Sequence, residues 1–406
     1  MIDTAAIKAR FPIFSQQTPL GEPLIYLDNA ATTQKPQSVI EAISHYYAGY
    51  NSNVGRGSYW PATAASKAFA DAREKVRGFI NAGSIKEVIY TSGTTDGINK
   101  VMNKYFLPML KPGDEVITTE MEHHGNFVPW QQACQQSGAS LKVVPLTENG
   151  EVDYLAFEQL LNDRTKMVAI TAVSNTLGTC NDLERLIQMT KKVEAKVLVD
   201  AAQLVTHRTI DVQALDCDFL VFSAHKLFGP TGIGVLYGKE AQLEAMPPLA
   251  FGGGMVKSVS IGQTSFADLP QKHEGGTAHI AGAIGLGAAI DFVNEIGLDA
   301  MHGHTQSIMQ YAEERLKATP GVTVLATPVE RASLLSFVVD GAHPHDVASF
   351  LAEKGIAIRA GHHCTHPLMQ HLKLPGTCRA SFGIYNTKEE IDSLVKVLEE
   401  VRDFFA

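Results

Sequence analysis

The sequence lacks the features that would mark several function classes. No uncharged apolar run is long enough to cross a bilayer, and the long apolar stretch Asp218–Tyr237 is broken by His225, Lys226 and several glycines. Basic residues are not in excess: 34 Lys and Arg against 43 Asp and Glu give a formal net charge of -9, which removes the electrostatic case for binding nucleic acid or an anionic membrane. The five cysteines, Cys134, Cys180, Cys217, Cys364 and Cys378, are scattered and odd in number. That pattern is not a disulfide framework, and it points to a reduced, cytoplasmic compartment. Met1 to Phe14 carries Asp3, Lys8 and Arg10 and lacks the apolar stretch of a signal peptide. There is no internal repeat, no low-complexity segment, no Walker motif and no Rossmann glycine pattern, so nucleotide binding is the weaker reading.

What remains is a 406-residue chain, 45% hydrophobic, with ample apolar content for a large core. From about Leu24 to Tyr237, short β-rich runs alternate with amphipathic stretches. Strands are predicted at Glu87–Thr91, Glu115–Thr119, Leu141–Pro145, Met167–Thr171, Lys196–Asp200 and Phe219–Ser223, with helical segments such as Ala64–Ile80, Asp96–Phe106 and Asp182–Lys192 between them. This alternation predicts an α/β fold with a mostly parallel sheet covered on both faces, and ligands in such sheets bind beyond the carboxyl ends of the strands. From about Ala278 the pattern changes. Helices near Ile280–Ile296 and His304–Ala318, strands near Val322–Leu325, Leu334–Val339, Ile356–Arg359 and Cys378–Phe382, and a final helix over Lys388–Phe405 predict a smaller α+β domain.

The residues that carry chemistry fall at strand ends. Lys226 follows the apolar run Phe219–Ser223 after only Ala224 and His225. Desolvation disfavours a charged lysine there, and a lysine of lowered pKa is an amine nucleophile able to form a Schiff base. Taken alone, it reads first as a snorkelling lysine. Asp200 ends the strand before, 26 residues upstream. It could hold a pyridinium nitrogen, the usual companion of a Schiff-base lysine, or simply cap the following turn. Ser92-Gly-Thr-Thr-Asp-Gly, between a strand and a helix, has the composition of a phosphate cradle or of a plain N-cap. His123, in Met121-Glu-His-His-Gly-Asn, could stack on a flat cofactor ring, or be an ordinary turn histidine. Cys364 lies in Arg359-Ala-Gly-His-His-Cys-Thr-His, where nearby cations such as Arg359 and Arg379 could favour the thiolate or bind a carboxylate. His362, His363, Cys364 and His366 are also metal-ligand types. Their crowded spacing is unlike structural zinc patterns and no second cluster completes a site, so no metal is expected.

Together these residues resemble the aminotransferase class V family of fold-type I pyridoxal-phosphate enzymes, and within it the group II cysteine desulfurase / selenocysteine lyase branch of the SufS and CsdA type. The resemblance runs from Tyr26-Leu-Asp-Asn-Ala-Ala to Tyr385-Asn-Thr. Its most specific segment is Ser223-Ala-His-Lys-Leu-Phe-Gly-Pro-Thr-Gly, and the compact loop Arg359-Ala-Gly-His-His-Cys separates this branch from class V aminotransferases. The resemblance implies a large domain, residues 16–295, with a mostly parallel seven-stranded sheet, and a small one from residues 1–15 and 296–406.

It also implies roles. Lys226 would carry pyridoxal 5'-phosphate as a Schiff base, Asp200 would pair with the pyridine nitrogen, Gln203 would meet the phenolic oxygen and His123 would stack on the ring. Thr95, Ser223 and His225, with the Thr94 backbone, would hold the phosphate. Thr277 would reach the phosphate of a neighbouring subunit, which implies a homodimer. Asn175 and Arg379 would bind the substrate carboxylate, with Arg359 lining the pocket and Cys364 receiving sulfur as a persulfide. The implied substrates are L-cysteine and selenocysteine, and the implied partner is a sulfur-acceptor protein of the SufE/CsdE type. Another class V outcome, an aminotransferase or an epimerase, is the alternative. The chain departs from the pattern at Gly55, where the family usually has histidine, and at Ser92, where close relatives often carry arginine.

Overall fold

Why the site lies where it does follows from one sheet. A computed structural model describes residues 2–405. The sheet contains β1 (Val88–Thr91), β2 (Glu115–Thr119), β3 (Ser140–Val144), β4 (Thr165–Thr171), β5 (Lys196–Asp200), β6 (Phe219–Ser223) and β7 (Gly234–Gly238). They lie in the order β1-β7-β6-β5-β4-β2-β3. Every pairing is parallel except the two made by β7, which runs antiparallel between β1 and β6. The expected α/β class and mostly parallel seven-stranded sheet are borne out.

β1, β2, β6 and β7 are buried along their whole length, as strands with both faces covered must be. Along β6 the side chains alternate between two apolar layers: Leu220 and Phe222 pack with Val199, Ile170 and Leu286, whereas Phe219 and Val221 pack with Leu198, Trp130 and Ile98. The period of two that fills both layers also fixes which strand-end residues turn toward the next loop. The helices that matter for the site are α1 (Thr94–Val101) and α2 (His124–Ser137), each following a strand, and α3 (Ile280–Ile296), which supplies Leu286, Ile290 and Phe292 to the first layer.

Four further strands, β8 (Val322–Val324), β9 (Leu334–Val339), β10 (Arg359–Gly361) and β11 (Thr377–Ser381), form an antiparallel sheet in the order β8-β9-β11-β10. With α4 (Leu298–Ala318) and α5 (Lys388–Phe405) they enclose a second core around Leu335, Phe337, Ala380, Leu394 and Leu398. α4 bridges the cores, giving Met301 to the first and Ile308, Ala312 and Leu316 to the second. Near the N-terminus, Phe11 packs edge-on against Phe292 and Tyr385 within the first core. The segment Ile356–Arg359, expected as one strand, divides: Ile356–Ala357 pairs with Ile25–Tyr26, and Arg359 begins β10. The chain changes sheets at Ile358, so no single ladder could hold the whole run. Among the described residues no single helix is long and apolar enough to cross a membrane; the one bent pair that together reaches that length, α3 and α4, breaks by 77°, and most of α3 is buried in the core.

Candidate active site

The carboxyl ends of β1, β2, β4, β5 and β6 open on one cavity of about 280 Å³, and β10 and β11 close it from the other side. Every residue singled out as catalytic, cofactor-binding or substrate-binding lines this cavity, apart from Thr277. Thr277 is exposed on the chain's surface and lies outside it.

Lys226 stands at the end of the short 3₁₀ turn Ala224–Lys226 that continues β6. Burial lowers its pKa from 10.5 to about 8; Arg379 and Arg359 push the same way, and Asp200 and Cys364 oppose them. Asp200 is the last residue of β5. Its Oδ1 accepts the Ala202 N–H at 2.9 Å, and burial raises its pKa against that hydrogen bond and the Lys226 charge. His123 caps α2, and its Nδ1 accepts the Gly125 N–H at 3.0 Å. The neutral ring must therefore carry its proton on Nε2. Burial, followed by the nearby charges of Lys226, His124 and Arg379, lowers its pKa to about 4, so it is neutral across the physiological range.

The strand β1 runs into α1 through Gly93, where φ is +152° and a Cβ would sit 3.2 Å from Ser223 Oγ. Ser223 Oγ accepts the Thr94 N–H at 2.8 Å and lies 2.8 Å from Thr94 Oγ1. Gln203 donates through Nε2 to the Ala30 carbonyl at 2.8 Å, which orients its amide at the cavity wall. On the far side, Cys364 is exposed and unpaired, in a tight turn between β10 and the helix that starts at His366. The Asn175 side chain donates to the His363 carbonyl at 2.8 Å, and the Cys364 carbonyl accepts the His124 N–H at 2.7 Å.

Residues 25–394 match the family model described as aminotransferase class-V. The chain belongs to the aminotransferase class-V family. It is 50% identical over 399 residues to a probable cysteine desulfurase of Halalkalibacterium halodurans, with 98% of each chain covered. It is 47% identical over 403 residues to a probable cysteine desulfurase of Vibrio cholerae, with 99% of each covered. The crystal structure of the cysteine desulfurase CsdA from Escherichia coli is similar over 100% of both chains, with a TM-score of 0.93 at 39% identity.

Class V enzymes use pyridoxal 5'-phosphate, and the residues here fit it. Among the described residues His225 Nδ1 is buried with no partner, and burial lowers its pKa to about 4; an anionic phosphate would supply the missing acceptor. The Gly93 turn leaves room at the start of α1, where backbone N–H groups favour an anion. Asp200 is buried, makes no salt bridge among the described residues and feels the Lys226 charge without pairing to it; a protonated ring nitrogen would supply a directly paired cation.

Two residues of this class V site escaped the sequence reading. Asp28 bridges Arg359 and Arg379, with bonds of 2.9–3.2 Å. Glu122, wholly buried beside His123, accepts from Thr119 Oγ1 (2.8 Å), Asn126 Nδ2 (2.7 Å) and the Thr171 N–H (2.9 Å). Burial nonetheless lifts its pKa to about 8. Glu122 ties the ends of β2 and β4 to α2 and so sets where His123 begins the helix. An acid beside a candidate ring-stacking histidine was the available signal; for Asp28 it was an acid at the end of the first short strand.

Proposed function

We propose that this class V chain is a pyridoxal-phosphate-dependent cysteine desulfurase that converts L-cysteine to L-alanine and holds the sulfur as a persulfide on Cys364. The observation that carries this reading is that the Lys226 amine and the Cys364 residue, 138 positions apart in sequence, line the same cavity. The names of the relatives support the same activity.

When bound, the cofactor supplies an electron sink that acidifies the substrate's Cα–H. Lys226, of lowered pKa, would hold the cofactor, and its free amine would take up the Cα proton and give it back. Asp200 would pair with the ring nitrogen, His123 would face the ring with its Nε2–H available as a donor, and Gln203 would meet the phenolic oxygen. Thr94, Thr95, Ser223 and His225 would hold the phosphate. Arg379, with Asn175 and Arg359, receives the substrate carboxylate. The Cys364 thiolate attacks the substrate sulfur: an S–S bond forms, the C–S bond breaks, and its electron pair stays with the carbon that becomes the alanine methyl group after protonation. Selenocysteine fits the same scheme, with a weaker bond to break.

Thr277, exposed and outside its own cavity, suits a role in the site of a second copy, giving a homodimer with shared sites. The exposure of Cys364 suits delivery to a sulfur-acceptor protein of the SufE/CsdE type in a reduced, cytoplasmic setting. The division into residues 16–295 and residues 1–15 with 296–406 is part of the same proposal.

The test is Cys364→Ala. The holoenzyme should keep its visible cofactor absorption and lose sulfur release from L-cysteine by about 10²-fold or more. Sulfane sulfur and alanine formed from L-cysteine at the ordinary rate would remove Cys364 as the acceptor.

A further inference from the structure

The turn that carries Lys226 is held from outside itself. Ala224–Lys226 is a single 3₁₀ turn, and two residues on, Phe228 adopts φ +59°, a left-handed conformation that a bulky side chain keeps only where its surroundings hold it. The holders come from residues 32–35. The Thr33 hydroxyl spans Lys226: its Oγ1 accepts the Phe228 N–H at 2.8 Å and gives its own hydrogen to the His225 carbonyl at 3.1 Å. The Thr33 N–H reaches the same carbonyl at 3.1 Å, and Thr32 Oγ1 reaches it at 3.0 Å. Lys35 Nζ completes the set, donating to the His225 carbonyl at 2.8 Å and to the Thr33 carbonyl at 2.7 Å. Four donors thus surround one oxygen, although a carbonyl has two lone pairs. That oxygen belongs to the peptide joining His225 to Lys226. Lys35 is partly buried, and burial alone lowers its pKa from 10.5 to about 7. Its ammonium gives up hydration without gaining a carboxylate among the described residues; what it gains is the two carbonyls. The neutral amine keeps two N–H groups, one for each, so the contact persists on either side of that pKa. The segment is fastened in its turn, by the Ala30 N–H to Ser381 Oγ on β11 at 2.8 Å and the Gln34 N–H to the Tyr385 hydroxyl at 3.1 Å.

We propose that Thr33 and Lys35 are positioning residues that clamp the Lys226 turn from behind the cavity and fix where the lysine amine and the His225 imidazole stand. His225 and Lys226 flank the clamped peptide, one on each side, and both line the cavity, whereas Thr33 and Lys35 do not. A single hold therefore sets the spacing between the group that attaches the cofactor and a group that meets its phosphate. The inference deepens the function proposed above and rests on the reading of Lys226 as the cofactor's anchor. Thr33 and Lys35 act through the turn, so their effect is geometric. Without the Thr33 hydroxyl the buried Phe228 N–H loses its acceptor, which favours opening of the turn while the ladders of β6 remain.

The experiment uses the holoenzyme, well below its Tm, and reads two rates: hydrogen–deuterium exchange of the peptide containing Phe228, and loss of the lysine-bound visible absorption after dilution. Thr33→Val keeps the side-chain volume and removes the hydroxyl; it should quicken both rates about 10-fold. Thr33→Ser keeps the hydroxyl and should behave as the parent does. Lys35→Met keeps the stem and removes the donors; it should quicken cofactor loss about threefold, and it keeps the test available if Thr33→Val does not fold. Lys226→Ala separates the two readings. If Lys226→Ala keeps the lysine-bound absorption, Lys226 is no anchor, and the inference falls with that reading. If Lys226→Ala loses the absorption while Thr33→Val and Lys35→Met both hold the cofactor as the parent does, the anchor stands and the clamp is overturned. Cofactor loss as fast in Thr33→Ser as in Thr33→Val would overturn it too, since the hydroxyl would then play no part.

Discussion

The two ends of the cavity are built by different means. At the sheet end, Asp200 and Ser223 are the last residues of buried parallel strands, and His225 and Lys226 follow within one turn. Their backbones are fixed by ladders with neighbours on both sides. At the thiol end, Cys364 is exposed and sits in a turn where His363 and Cys364 both have positive φ, 51° and 58°. Consecutive left-handed residues other than glycine cost on the order of 1 kcal/mol each, and such a turn persists only where its surroundings hold it. Here the holders are contacts from two other segments: the His124 N–H from one, and from the other the Asn175 side chain and the Thr176 hydroxyl, 2.9 Å from that of Thr365. Groups whose charge must be fixed stand on the rigid frame, and the thiol proposed to meet both substrate and acceptor stands on a loop.

The sharpest separation of the two ends is Lys226→Ala. Removing the proposed cofactor anchor and base should cut alanine formation from L-cysteine by at least about 10³-fold, with loss of the lysine-bound visible absorption. Alanine formed at the ordinary rate would detach the sheet end from the chemistry. A second measurement addresses the same end through pH. Lys226 is lowered from 10.5 to about 8, so its reactive free amine is scarce below pH 8 and predominant above it. The rate at which cofactor-free protein captures pyridoxal phosphate should rise roughly tenfold per pH unit, about 10²-fold from pH 6 to pH 8, and then level off. Asp200 favours the protonated amine, so Asp200→Asn should move the midpoint down. A rate still climbing at pH 10 would mean that burial does not tune this lysine.

The sheet end was also the more legible. β2, β5 and β6 match their predicted bounds to the residue, because each is an apolar run closed by Thr, Asp or Ser at the mouth of the cavity. β7 was not singled out. Its glycines at both ends, Gly234 and Gly238, look like loop punctuation, yet they serve packing: a Cβ on Gly234 would lie 2.6 Å from Gly93 Cα. At the thiol end the residues were readable but their fastening was not. Cys364, Arg359 and Arg379 stood out by type, whereas Asp28 reaches them from 331 and 351 positions away, a pairing no local pattern encodes. Of the loop histidines weighed as metal ligands, His362 and His366 stack in a row with His124, while His363 turns inward to Thr377.

A smaller effect is expected where the ends meet at α2. Gly125 faces Thr95, and a Cβ there would come 2.7 Å from Thr95 Oγ1 and 3.2 Å from His123 Nδ1. Gly125 is helical, so alanine is favoured by backbone propensity and should not lower thermal stability by that route. Gly125→Ala should weaken retention of pyridoxal phosphate about tenfold, measured by dilution and absorbance, with little change in Tm. Unchanged retention would show that Thr95 and His123 can shift without disturbing the cofactor.

The smallest effect is the most selective for the thiol end. His124 Nε2 receives the His366 N–H at 3.1 Å and lies 3.0 Å from His366 Nδ1, while the His124 backbone N–H holds the Cys364 carbonyl. His124→Ala removes the first contact and leaves the second, since that one is made by the main chain. The loss of one partly exposed hydrogen bond is about 1 kcal/mol, or roughly a fivefold change in an equilibrium. Alkylation of Cys364, followed by peptide mass so that partly exposed Cys180 does not interfere, should quicken by up to about fivefold, with the cofactor absorption unmoved. If the substitution altered the absorption and left the thiol's reactivity as it was, the imidazole would belong to the rigid frame, and the division between a fixed end and a movable one would have to be redrawn through α2.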